Sequence, residues 1–117
     1  MINYNHMAIQ EMSIYLLEDL ANDLIAYYEK YRRRTVDYDE LVIWIYHRHK
    51  KRISLNTIIT KLSRARRRGL ITITYRRRDF NGYWLRDKAR VIINVLSCKA
   101  LILTTKTITL RRFFRYA

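Results

Sequence analysis

At 117 residues the chain has the length of one domain, and with half its residues hydrophobic, no proline and two glycines it is neither disordered nor of low complexity. Its formal charge of +14 is unevenly placed: residues 1–40 hold four Lys/Arg against eight Asp/Glu, and residues 41–117 hold twenty against two. That imbalance implies a polyanion partner for the basic part, the alternative being a basic surface that serves solubility alone.

No apolar run reaches the roughly 18 residues of a membrane span, and the opening MINYNHM has no basic-then-apolar secretory signature. The single cysteine, Cys98, excludes an internal disulfide and a thiol zinc site, so a reducing, intracellular (cytoplasmic) setting is expected. Residues 8–31 read as a long helix. Ile9, Met12, Leu16, Leu20, Leu24, Tyr28 and Tyr31 form one stripe, widened by Leu17, Ala21 and Ile25. Glu11, Glu18, Asp19, Asp23 and Glu29 take the rest of the surface, which would face away from nucleic acid. So broad an apolar face predicts a shared dimer interface, the alternative being burial in one core.

The cations from Lys30 to Arg34 suit the end of that helix. Thr35-Val36 is expected as a short edge strand. Asp37 and Glu40 have the spacing of a capping box and open a second helix with Leu41, Val42, Ile45 and Tyr46 on its apolar face and Trp44 beside them. His47 to Arg52 make a basic connection. His47 and His49 invite a metal or nuclease reading, but positions i and i+2 of a helix point apart and no carboxylate cluster lies nearby in sequence. Phosphate contact is the preferred reading, with no metal and no cofactor.

Ser54 can cap a third helix. Leu55, Ile58, Ile59 and Leu62 mark its apolar stripe, and Thr57, Thr60, Arg64 and Arg67 its opposite face, flanked by Asn56, Lys61 and Arg68. Arg66 falls near the stripe, with its stem expected to pack and its head to escape. Gly69 suits the left-handed residue that ends a helix. Ile71, Ile73 and Tyr75 then alternate with Thr72, Thr74 and Arg76, the period of a strand. Asn81-Gly82 signals a hairpin turn, with a return strand from Tyr83-Trp84-Leu85 and the Arg76, Arg77, Arg78 cluster near the tip.

Residues 87–103 fit a helix capped by Asp87, with Ala89, Ile92, Ile93, Leu96, Ala100 and Leu103 in step, although Val91, Ile92, Ile93 and Val95 would also suit a strand. Helix is preferred. Its second stripe, Val91, Val95, Cys98 and Ile102, would add to a helical dimerisation layer, with Cys98 a small buried hydrophobe. In the tail, Thr107 to Leu110 alternate like a strand. Arg111 to Tyr116 form a basic aromatic arm that either enters a groove or packs on a partner subunit.

Arg68-Gly69-Leu70-Ile71, a short hairpin, and Tyr83-Trp84-Leu85-Arg86-Asp87-Lys88-Ala89-Arg90 resemble the winged helix-turn-helix of small transcription regulators, over roughly Thr35 to Ile93. That group typically reads RGLI after the recognition helix and Y-x-L-T-x-K-G-R on leaving the wing. Arg86 and Ala89 stand here where the group has Thr and Gly, so Asp87 would take over the Thr's capping role.

The resemblance implies an α+β, mainly helical fold in one domain, 1–117: an N-terminal helix (8–31), helix-turn-helix and wing (37–86), and a C-terminal helix and tail (87–117). It implies a dimeric transcriptional regulator that places residues 54–68 in the major groove of double-stranded DNA, with residues 8–31 and 87–103 as the homodimer layer. Asn56, Thr57, Thr60, Lys61 and Arg64 would lie nearest the bases, with Arg67 and Arg68 on the same helix. Lys50, Lys51 and Arg52 would clamp phosphates beside the helix, and Arg76, Arg77 and Arg78 would do so from the wing. A packaging or architectural protein without sequence preference is the main alternative. RNA binding lacks the usual aromatic platform or glycine loop. An enzyme is least expected, since carboxylates after residue 40 are limited to Asp79 and Asp87. A purely protein-binding role leaves the arginine clusters unexplained.

Overall fold

A computed structural model describes residues 14–75 and 89–116, with side chains described in 14–74 and 89–107. They form α1 (Leu17–Tyr31), β1 (Thr35–Asp37), α2 (Tyr38–Arg48), α3 (Leu55–Arg67), β2 (Ile71–Tyr75), β3 (Ala89–Ile93) and α4 (Val95–Tyr116), an α+β arrangement that is mostly helical.

Of the helix expected over residues 8–31, residues 8–13 lie outside the described residues, and α1 starts at Leu17. Ile14, Tyr15 and Leu16 lie outside it, because Asp19 reaches back to accept the Leu16 amide at 2.8 Å and marks the helix start. Leu20, Ala21, Leu24 and Tyr27 are buried, and α1 packs chiefly against α4 of the same chain. Much of the face expected to meet a second subunit is therefore used internally. Asp23, expected on the solvated acidic side, is 3 % exposed instead. The helix ends in Arg32, left-handed at φ 53°, whose amide donates to the Tyr28 carbonyl.

The three strands are antiparallel in the order β1-β3-β2, with β1 at an edge as expected. Val36 lies opposite Val91, and Ile71 opposite Ile93; all four are buried and form the sheet's core face. The central strand corrects the preference for helix from Asp87. β-branched Val91 and Ile92 find strand partners on both sides and Ile93 pairs with Ile71, and that pairing outweighs the helical spacing. The true start of α4 is Asn94. Its Oδ1 accepts from the Ser97 amide at 3.3 Å, its Nδ2 donates to the Gly69 carbonyl at 3.2 Å, and its amide donates to the Leu70 carbonyl at 2.9 Å.

The last helix also overturns the expected strand in the tail. The hydroxyls of Thr104, Thr105 and Thr107 donate to the carbonyls of Ala100, Leu101 and Leu103 at 2.8, 3.0 and 2.9 Å. Bonded back four residues, these threonines sit in a helix without needing a sheet. Cys98, 0 % exposed, packs where α4 meets Leu70, its thiol toward the Leu70 carbonyl at 3.7 Å, and burial pushes its pKa up to about 11.

At α2 the expected capping box is not formed. Asp37 occupies the N-cap position, but its carboxylate makes no cap and lies 3.5 Å from Arg90 across the sheet. Leu41, Val42 and Ile45 are buried against α3. The proposed turn at Asn81-Gly82, the strand start at Tyr83–Leu85 and the Arg76–Arg78 cluster lie outside the described residues. Among those described, no helix is long and apolar enough to cross a membrane.

Candidate nucleic-acid interface

Local chemistry fixes α3 at both ends. Ser54 Oγ accepts from the Thr57 amide at 3.1 Å. At the other end Gly69 takes φ 75°, its amide reaches the Arg66 carbonyl and that of Leu70 reaches the Ala65 carbonyl. These two bonds satisfy carbonyls that the helix end would leave open.

Between the caps, Ile58, Leu62 and Ala65 are buried and set the rotation of the helix. Asn56, Thr60, Arg64 and Arg67 come together on the exposed side, as the period predicts. Ser63, not picked out from the sequence, is exposed among them; its signal was its position on the polar face. Arg68 is exposed at the C-cap and Lys61 half-buried on the flank. Thr57 is half-buried and takes part in the cap: it supplies the capped amide, and its hydroxyl lies 2.8 Å from Ser54 Oγ. Leu55 and Ile59 are corrected, at 43 % and 42 % exposed. The buried stripe is narrower than the apolar one because Ala65 completes it. Arg66 is exposed and, with Ile59, Ser63, Tyr38, Asp39, Ile73 and Ala89, lines a cavity of about 510 Å³.

Helix α2 runs to Arg48, so the connection proper begins at His49. Lys50, Lys51 and Arg52 are exposed there, followed by buried Ile53. Arg48 and His49, read as part of a phosphate-touching loop, are turned away to α1: Arg48 Nε donates to Asp23 Oδ1 at 2.9 Å, and His49 Nε2 lies 2.7 Å from Asp23 Oδ2. The Tyr15 hydroxyl donates to the same Oδ2 at 2.6 Å. Sequence reasoning missed this cluster because the partners lie 25 and 26 residues from Asp23. Among the described residues, no three His, Cys, Asp or Glu side chains converge as a metal site would require.

The surface so assembled is cationic and rich in hydrogen-bonding groups, with no carboxylate anywhere in α3. It can neutralise phosphates and offer donors and acceptors to base edges. Comparison with known proteins yields no match to a family model, a curated protein or a solved structure.

Proposed function

We propose that the chain is a sequence-specific, double-stranded DNA-binding protein of the winged helix-turn-helix kind, acting as a dimeric transcriptional regulator. The observation that carries this reading is the outward face of α3. Asn56, Thr60, Ser63, Arg64 and Arg67 are all exposed on a helix whose other side is locked into the core. The succession of α2, α3, β2 and β3, with β1 completing the sheet beside β3, supports it.

In this reading α3 enters the major groove. Arg64 binds guanine O6 and N7, Asn56 pairs with adenine N6 and N7, and the Thr60 methyl meets a thymine methyl. Lys50, Lys51 and Arg52 hold phosphates beside the start of the helix. Arg76, Arg77 and Arg78, in the connection between β2 and β3, contact flanking phosphates or the minor groove. Two copies related by a two-fold axis read a symmetric site.

Selecting duplexes from a randomised pool, then measuring affinity for the winner and a scrambled control at several salt concentrations, tests the proposal. The expected winner has two-fold symmetric half-sites and binds about a thousand-fold more tightly than the control. Equal affinity with one steep salt slope would overturn sequence-specific reading and leave a packaging role.

A further inference from the structure

Two unfavourable features meet at one point of this fold. The first is Asp23, whose side chain is 4 % exposed. A buried carboxylate is costly unless charge and hydrogen bonds compensate it. Here Tyr15, Arg48 and His49 converge on it at 2.6, 2.9 and 2.7 Å. Arg48 is held further by the Trp44 ring, 5.3 Å from its guanidinium carbon, and His49 by the Tyr15 ring at 5.5 Å.

The second is the backbone that follows. Lys50 and Lys51 take φ of 53° and 62°, two successive positive values in residues with a Cβ. Such pairs usually hold Asn and Gly, and each left-handed residue with a side chain is disfavoured. The turn is closed by amide bonds from Lys50 to the His47 carbonyl (3.0 Å), Lys51 to Tyr46 (2.9 Å) and Arg52 to His49 (3.1 Å).

The last anchored side chain, His49, is followed at once by the two exposed lysines, and the turn they form leads into α3. We propose that Asp23 is a positioning residue: by holding Arg48 and His49 at the end of α2, it fixes the left-handed turn that presents Lys50 and Lys51 to DNA phosphates. This rests on the duplex-binding reading above. A frayed end of α2 would free the lysines to adopt ordinary right-handed backbone, and each phosphate contact would then carry the entropy of ordering the turn. The use of lysine where glycine would be less strained fits a turn retained for its charges.

The test uses the full chain and one fixed duplex, with affinity read by fluorescence anisotropy across a salt series. K50A/K51A is expected to lower the slope of log affinity against log salt by about two, at roughly 0.9 per phosphate contact. D23N, similar in size but uncharged, is expected to weaken binding and lower the slope, and to add little on the K50A/K51A background, because it acts through those lysines. H49A, at a side chain 31 % exposed, gives the same pattern if D23N does not fold. K50N/K51G keeps a turn-compatible backbone without the charges, so it should bind like K50A/K51A while melting no lower than the parent.

A parent slope retained in D23N and H49A overturns the inference, as do losses that add in full to those of K50A/K51A, or a slope indifferent to K50A/K51A. In each of these cases the parent still binds duplex and the DNA-binding reading stands. A parent with no salt-dependent duplex binding removes both.

Discussion

Tyr15 and Tyr27 are almost equally buried, at 4 % and 1 % exposed, yet their hydroxyls differ in use. That of Tyr15 donates to Asp23, whereas that of Tyr27 finds no hydrogen-bond partner among the described residues. Y15F should therefore cost about 1.5–3 kcal/mol, the range for a hydrogen bond to a charged group, and Y27F should be neutral or slightly stabilising; denaturant unfolding of the two variants makes the comparison. Burial also governs the alkaline limit. It raises the pKa of Tyr15, with the Asp23 charge adding to it, and that of Cys98, from 9.0 to about 11. A raised pKa means that the fold favours the protonated form. Cys98's contribution is thus present below pH 9 and lost as pH rises toward 11, roughly 3 kcal/mol in all. Unfolding titrations between pH 8 and 11 should show the decline, and C98A should make it shallower. The burial of Cys98 was expected from its apolar stripe, but the Asp23 cluster was not legible in the sequence, where Asp23 looked like one more acid on a solvated helix face. A carboxylate's burial is decided by donors arriving from distant elements, and no local spacing encodes that.

Single elements were legible where both ends carried their own chemistry. The third helix is bracketed by Ser54 and Gly69, and both residues do what their types allow. The strand from Ile71 falls where alternation placed it, and the edge strand at Thr35 also forms as expected. Legibility failed where one composition serves two periods. Val91 to Ile93 keep a helical spacing but pair as the central strand, and Thr107 opens the alternating stretch of the tail but bonds back along a helix. The fixed rotation of α3 also yields an element-level prediction for the proposed DNA contact. R64A should cost about 1–3 kcal/mol at the preferred site and relax selectivity at one base position. R67A, if its contact is to a phosphate, should weaken all duplexes alike and lower the salt slope by about one. Competition binding against single-base variants of the selected site separates the two.

At the scale of the molecule, the breadth of apolar sequence in α1 and α4 predicted a layer shared between subunits, and the fold spends much of it on packing the two helices together. Partly buried Leu17, Ile25, Tyr28, Leu101 and Ile102 complete that packing. Among the described apolar side chains of α1 and α4, the most uncovered are Leu96 and Leu103 on α4, 80 % and 64 % exposed, seven residues apart with Ala100 between them on one helical face. The proposed dimer should depend on these residues more than on α1. L96E/L103E is expected to sediment as a monomer and to lose the added affinity of a symmetric double site while keeping half-site binding, whereas E18Q, in the acidic first turn of α1, should leave both unchanged. How two copies join was not legible, because an apolar stripe records that a surface is covered and not by which chain.

The burial of Cys98 also gives the chain a built-in clock. It is the sequence's sole cysteine, and its sulfur sits where the start of α4 meets the end of α3. A thiol-reactive reagent can reach it only when that corner opens, so the labelling rate of the unmodified protein measures the opening directly. If duplex binding clamps α3, bound protein should label more slowly than free protein, and the ratio of rates reports the coupling without a mutation or an attached dye.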